Sequence, residues 1–358
     1  MRIAQLAPLA ESVPPKLYGG TERVVAWLVD ELVELGHDVT LFASGDSRTK
    51  GRLHPVWPHA LRLGRQGVDP NAASAVLLEA IAKHAKDFDV IHAHIDWLPL
   101  PLLSRLDVPF LTTMHGRLDL PGLADVVRQF PGAGFVSISD NQRVPLPEAN
   151  WIATIRHGLP SNLFKPSFSP GSYLAFLGRL TKEKGPEDAI RIARATGRPL
   201  RIAAKIPRGE TGYFKKSLEP HIDGRAVQLV GEVNDAKKQP FLADAAALLF
   251  PIDWPEPFGL VMIEAMACGT PVIAYRSGSV PEVVEDGVTG FIVENEDQAV
   301  RAVGDLGRLD RRTVRARFEA QFAAGRMARD YERAYRNLIA ASSAKEARFR
   351  EDPDSSKP

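Results

Sequence analysis

The chain is short of most of the residues that mark special compartments or partners. Its 358 residues include one cysteine, Cys268, which excludes an intramolecular disulfide and fits a reducing compartment. Net charge is nearly absent: 45 basic against 44 acidic side chains leave a formal +1, no electrostatic footprint for nucleic acid or an anionic membrane. No apolar run approaches the roughly 20 residues needed to span a bilayer. The opening Met1-Arg-Ile-Ala-Gln-Leu-Ala-Pro8 is interrupted too soon for a signal peptide and reads as a first strand. A cytoplasmic protein is expected, with peripheral attachment left open. Asp-x-Asp, a holder of divalent ions, occurs twice, as Asp87-Phe-Asp89 and Asp352-Pro-Asp354. The first enters a strand at its amino end and the second lies in a polar tail, so neither suits a metal site. Internal repeats are absent too.

Present instead is a regular alternation of short apolar strands with helical segments, the pattern of an α/β protein with parallel sheets. The first series has strands at 2–6, 39–43, 90–93, 110–114, 134–139 and 151–155. Its opening helix, about 20–35, carries Val24, Val25, Leu28, Leu32 and Leu35 on one stripe and ends at Gly36. A second series runs through 173–177, 200–204, 227–230, 247–250, 272–275 and 291–293. Between them, 156–171 is rich in Pro, Gly and Ser and reads as a linker. The expected domains are 1–158 and 159–325, two doubly wound Rossmann-like units facing each other across a cleft. A helix is expected over 326–341 and a disordered tail over 342–358. Pro240 marks a helix start or kink with no functional meaning.

The densest signal is Asp253-Trp-Pro-Glu-Pro-Phe-Gly-Leu-Val-Met-Ile-Glu-Ala-Met-Ala-Cys-Gly-Thr-Pro271. Pro255 and Pro257 hold Glu256 extended, a helix follows from Phe258, and Gly269 with Pro271 ends it. A helix N-terminus offers unpaired N–H groups to an anion, so carboxylate, anion site and second carboxylate, Glu264, lie along one line. At about 1.5 Å per residue, Glu264 falls roughly 9 Å along the axis from Phe258. That order suits a ligand with hydroxyls at both ends and phosphates between. The plainer alternative is a core helix with one solvated glutamate.

With its Pro-Phe-Gly and Cys-Gly-Thr-Pro flanks, this segment resembles the Glu-x7-Glu motif of the family-4 retaining glycosyltransferases of GT-B fold. Three other stretches resemble that family: Phe176-Leu-Gly-Arg-Leu-Thr-Lys-Glu-Lys-Gly185, Gly278-Ser-Val-Pro-Glu-Val-Val284 with Asp286-Gly-Val-Thr-Gly-Phe-Ile-Val293, and Tyr18-Gly-Gly-Thr-Glu-Arg23. The linker departs from it: relatives carry Asn-Gly-Ile-Asp where this chain has His157-Gly-Leu-Pro160, so no role is given to the missing acid.

The resemblance implies transfer of a hexose, glucose by expectation, from a nucleotide diphosphate sugar such as UDP-glucose to a small-molecule, glycan or lipid-linked acceptor, with retention and without a metal or other cofactor. It also implies that the helix over 326–341 returns to the first unit. Arg179 and Lys184 follow a strand end and suit a diphosphate, since both stay charged and arginine pairs with phosphate; Lys205 is a third candidate cation. The backbone of Phe258, Gly259 and Leu260 completes the diphosphate site, and Glu264 takes the ribose hydroxyls. Gly19 and Gly20 let the backbone approach the donor. His115, at a strand end, and Glu256 position the sugar. His94 and Asp96 line the acceptor side, which the loops 10–18 and 44–67 shape. His92 and His94 form a His-x-His pair without a third ligand at a recognisable spacing, and Cys268 is a buried small hydrophobe. The alternatives are a UDP-sugar epimerase of the same form, a glycoside hydrolase using Glu256 and Glu264, and a non-catalytic nucleotide-sugar sensor.

Overall fold

Short strands whose residues are buried on both faces, such as Ile3, Ala4, Gln5 and Leu6, belong in the middle of parallel sheets covered by helices. The computed structural model, which describes residues 1–16, 19–62, 64 and 67–351 (without the side chains of Arg208 and of 345–351), contains two such sheets in two units.

The first unit comprises Met1–Ile138, Arg143–Arg156 and the chain from Ala324 onward. Its order is β1 (Arg2–Leu6), α1 (Gly20–Glu34), β2 (Asp38–Ser44), β3 (Arg52–Trp57), α2 (Pro70–His84), β4 (Val90–Ala93), α3 (Leu100–Leu103), β5 (Phe110–Thr113), α4 (Leu123–Gln129), β6 (Gly134–Ser137) and β7 (Trp151–Thr154). The sheet runs β3-β2-β1-β4-β5-β6-β7, with every neighbouring pair parallel. Strand order reverses between β1 and β4, so their carboxyl ends diverge and leave a crevice, the usual ligand position in an open α/β sheet. Leu6, Phe42, Leu77, Ile81 and Ile91 pack one face of this sheet.

β3 lies inside the stretch 44–67 that was expected to be loop. It is an edge strand, where Pro55 can be tolerated because its missing N–H has no ladder partner to serve.

The second unit comprises Ser139–Gln142 and His157–Ala323. It contains β8 (Tyr173–Arg179), α5 (Pro186–Thr196), β9 (Leu200–Lys205), α6 (Thr211–Tyr213), β10 (Val227–Gly231), α7 (Asp235–Ala243), β11 (Ala245–Phe250), α8 (Leu260–Ala267), β12 (Val272–Tyr275), α9 (Val280–Val283), β13 (Gly290–Val293), α10 (Glu296–Gly304) and α11 (Arg311–Phe322). The six-stranded sheet runs β10-β9-β8-β11-β12-β13, also parallel throughout. Its order reverses between β8 and β11. Pro240 sits within α7 rather than at its start.

The last helix, α12 (Ala324–Glu351), packs on α1 and buries Met327, Tyr331 and Tyr335 in the first unit. It does not stop at 341. From Ser342 to Glu351 the chain has no glycine or proline and is rich in Ala, Lys, Glu and Arg, all good helix formers, so the helix runs on into the stretch expected to be disordered. No helix among the described residues is long and apolar enough to cross a membrane.

Candidate active site

In the second unit the carboxyl ends of β8 and β11 carry the candidate donor residues. Arg179 is the last residue of β8 and is in register with Lys205, the last of β9. The guanidinium of Arg179 lies 3.5 Å from Glu183, and its Nε–H is buried with no partner among the described residues. Beyond Arg179 the chain turns through Lys184. The Lys184 ammonium forms a short, largely buried ion pair with Glu256 and sits 5.1 Å over the ring of Trp254. Thus two of the expected site residues touch each other directly, although 72 positions apart in sequence.

The loop that holds Glu256 is fixed from the side by 277–279. Ser277 Oγ donates to the Trp254 carbonyl at 2.7 Å, Ser279 Oγ to the Phe258 carbonyl at 2.8 Å, and the Ser279 amide to the Glu256 carbonyl at 3.0 Å. Gly278 adopts φ 53° with its Cα pressed against this loop: a Cβ there would stand 2.3 Å from the Glu256 nitrogen. Below the loop, His157 of the linker meets the Phe258 ring edge-on at 5.0 Å.

Gly259 then opens α8 in a left-handed conformation, φ 78°. The helix begins at Leu260, two residues later than expected, so Phe258 precedes it and is buried as an anchor. Glu264 is 3% exposed and bonded by Lys238 of α7 at 2.5 Å. Lys238 escaped the sequence reading, since nothing in the local pattern Asp-Ala-Lys-Lys-Gln-Pro distinguishes it from the exposed Lys237 beside it. At the other end of α8, burial pushes the Cys268 thiol up to about 12, so it is inert at neutral pH.

In the first unit the crevice beside β1 and β4 is a cavity of about 420 Å³ whose walls include Leu9, Ala10, Leu61, His94, Asp96 and His115. It therefore gathers both candidate acceptor residues, His115, and residues of both loops named for that role. Asp96 takes φ 49°, which turns its carboxylate back so that Oδ1 accepts from the His115 amide at 3.4 Å; burial raises its carboxyl pKa. Burial drives the His115 imidazole down to about 3, so it is neutral at physiological pH and too weak a base to hold a proton taken from an attacking hydroxyl.

His94 is occupied on both ring nitrogens, by His115 at 2.9 Å and Gln5 at 2.8 Å, and His92 by Tyr335 and Thr113, each at 2.7 Å. The pair is thus committed to hydrogen bonds rather than poised as ligands. Asp89 is bound to Arg2 at 2.7 Å, and Asp352 and Asp354 lie outside the described residues.

Gly19 and Gly20 are not among the residues that line this cavity; their neighbour Thr21 is. Gly19 caps α1 and packs so close to Pro15 that a Cβ would stand 2.8 Å from it, a packing reason for glycine. Tyr18 lies outside the described residues.

Two family descriptions fit the chain, "Glycosyltransferase Family 4" over residues 18–156 and "Glycosyl transferases group 1" over 164–318. Glycogen synthase of Mycobacterium tuberculosis is 28% identical, with 85% of this chain and 86% of that protein covered. Among solved structures, AviGT4, a glycosyltransferase of avilamycin A biosynthesis, superposes with a TM-score of 0.74 at 25% identity, covering 95% of this chain and 98% of its own. Anabaena HepE, solved with UDP-glucose, shares the fold with a TM-score of 0.69 at 20% identity, covering 96% of this chain and 100% of its own. The chain is a glycosyltransferase of the GT-B, family-4 type. These relatives lend no support to the epimerase reading.

Proposed function

We propose that the protein is a retaining, metal-independent hexosyltransferase that uses UDP-glucose. The observation that carries this reading is the gathering in the second unit of Glu256, the Gly259–Leu260 helix start and Glu264, with Arg179 and Lys205 at neighbouring strand ends and Lys184 in the turn beyond Arg179, paired with Glu256. Glu264 takes the ribose hydroxyls. The Phe258–Leu260 backbone, Arg179, Lys184 and Lys205 hold the diphosphate, and the buried Arg179 Nε–H is a donor suited to a phosphate oxygen. Glu256 and His115 hold the sugar, with His94 and Asp96 toward the acceptor.

In the proposed step the acceptor hydroxyl attacks the anomeric carbon on the face that the diphosphate leaves. The bond from that carbon to the diphosphate breaks, and a diphosphate oxygen takes the hydroxyl proton. Glycosylated acceptor and UDP result, with the anomeric configuration kept. Three cations offset the charge developing on the departing diphosphate, so no divalent ion is required. The ribose carboxylate suits a nucleotide donor in general, and UDP-glucose is the nucleotide sugar bound by HepE, a protein of the same fold. The relatives range from a glycogen synthase to a glycosyltransferase of avilamycin A biosynthesis, and no acceptor is assigned.

The test is UDP release from UDP-glucose over a panel of sugar, lipid and small aromatic acceptors. Turnover should be unchanged in EDTA and fall on the order of 100–1,000-fold in Arg179→Ala. Complete loss on chelation with recovery in Mg²⁺, or wild-type turnover in Arg179→Ala, would remove the proposed clamp.

A further inference from the structure

Only one of the two carboxylate oxygens of Glu264 is taken up inside the protein. Oε1 accepts from the Lys238 ammonium at 2.5 Å. Oε2 has no hydrogen-bond partner among the described residues, and it is not among their buried polar atoms left without one, so it opens to solvent. Both residues are buried, Glu264 at 3% and Lys238 at 8% exposure. Two apolar side chains would fill such positions at less desolvation cost, so the charges call for a purpose.

α7 is a rigid mount for Lys238. Asn234 caps its first turn, the side chain accepting from the Lys237 amide at 3.1 Å. At its other end three successive carbonyls each receive a donor from a different part of the unit. The Tyr173 hydroxyl of β8 donates to Phe241 at 2.6 Å, Thr270 Oγ1 to Leu242 at 2.7 Å, and Arg311 of α11 to Ala243 at 2.7 Å. From this mount the Lys238 ammonium faces two carboxylates, Glu264 at 2.5 Å and Asp235 at 3.6 Å, and only Glu264 is at hydrogen-bond distance. The cations of α11, which packs on α8, are committed elsewhere: Arg311 and Arg315 donate to backbone carbonyls, and Arg315 also to Glu319. Among the described residues, then, Lys238 sets where the Glu264 carboxylate points.

The choice of cation matters. Lysine is a compact point donor, whereas the planar fork of arginine matches both oxygens of a carboxylate at once. A lysine can hold the carboxylate still and leave one oxygen to accept from a ligand. We propose that Lys238 is a positioning residue for the nucleotide ribose, engaging Oε1 of Glu264 and presenting Oε2 to the ribose hydroxyls. This rests on the proposed ribose contact of Glu264.

The test measures binding of UDP, 2′-deoxy-UDP and 3′-deoxy-UDP to the full-length protein by titration calorimetry. Wild type should hold UDP at least about tenfold tighter than one or both deoxy analogues, the scale of one hydrogen bond to a charged group. Lys238→Met frees the carboxylate to turn; Lys238→Arg keeps the charge but covers both oxygens. Either change should shrink the preference to within about threefold. A purely structural role would weaken all three ligands alike and leave the preference intact, so an unchanged ratio in either folded variant overturns the proposal. Failure of both variants to melt cooperatively overturns it too, by making the pair a requirement of the fold. Equal binding of the three ligands by wild type would refute instead the ribose contact of Glu264 on which the proposal stands.

Discussion

Lys238 changes what Glu264 means. A carboxylate awaiting ribose hydroxyls would be expected to face water; here it is buried against an ammonium at 2.5 Å. Removing one member of a buried pair leaves the other uncompensated, at about 3–5 kcal/mol, whereas replacing both can be neutral. Glu264→Gln should therefore weaken UDP binding and also lower the melting temperature. Adding Lys238→Met should restore the melting temperature but not the affinity; calorimetric melting with UDP titration reads both, and unchanged UDP affinity in Glu264→Gln would contradict the ribose role. His92 and His115 give a pH signature. Their folded pKa values lie below the ordinary value of 6.5, so the unfolded chain binds protons that the folded chain refuses. Both contributions are steady above pH 6.5 and are lost as pH falls from there, toward about 3 for His115 and well below 6.5 for His92, by up to about 1.4 kcal/mol per pH unit for each. Melting between pH 7 and 5 should show this slope, and His115→Gln should flatten it.

Among elements, the loop around Glu256 shows how a site is held by a segment from elsewhere in the chain. Its two prolines keep it extended, but its position comes from Ser277, Gly278 and Ser279. Gly278→Ala places a Cβ 2.3 Å from the Glu256 nitrogen, so the loop must move and the Lys184–Glu256 pair must open. Turnover should drop at least about tenfold, with a loss of about 1–3 kcal/mol in stability from the strained backbone, measured by UDP-glucose consumption and chemical denaturation. Wild-type kinetics in this variant would show that the loop tolerates displacement. α11 supplies a second brace. Arg311 donates to the carbonyls of Ser167, Ala243 and Ala245, and Arg315 to those of Ser161, Phe164 and Ala267. These arginines tie the linker strand to the end of α8, and each satisfies carbonyls that would otherwise be buried without donors.

For the whole molecule, the chain order and the order of the units differ. α12 follows the second unit in sequence but supplies Tyr331 and Tyr335 to the core of the first. A chain ending at Ala323 should lose the cooperative melting of the first unit, because α1 is uncovered and Gln5 and His92 lose their hydroxyl partner. The second unit keeps every residue assigned to the diphosphate and ribose, so UDP affinity should stay within about threefold, a difference under 1 kcal/mol. Scanning calorimetry with UDP titration tests both halves, and loss of UDP binding on truncation would show that the second unit depends on α12.

Alternation of apolar runs with amphipathic helices, Gly36 and Gly269 at helix ends, and the prolines around Glu256 were legible because each acts over a few residues through local backbone sterics and side-chain periodicity. So were the strands at 90–93 and 272–275, whose bounds match what their composition implies. β3 was not: its pattern is broken by Pro55, and only its edge position beside β2 makes it a strand. The length of α12 was misjudged because a polar, charged composition suits a solvated helix as well as disorder. Above all, the sequence determined which residues bear charge, hydroxyl or imidazole, but not which ones meet. Lys184 with Glu256, Lys238 with Glu264, and Tyr335 with Gln5 and His92 are paired by sheet order and helix packing. Partners brought within 3 Å across 26 to 330 positions leave no periodic trace in the chain, because only burial in a common core selects them.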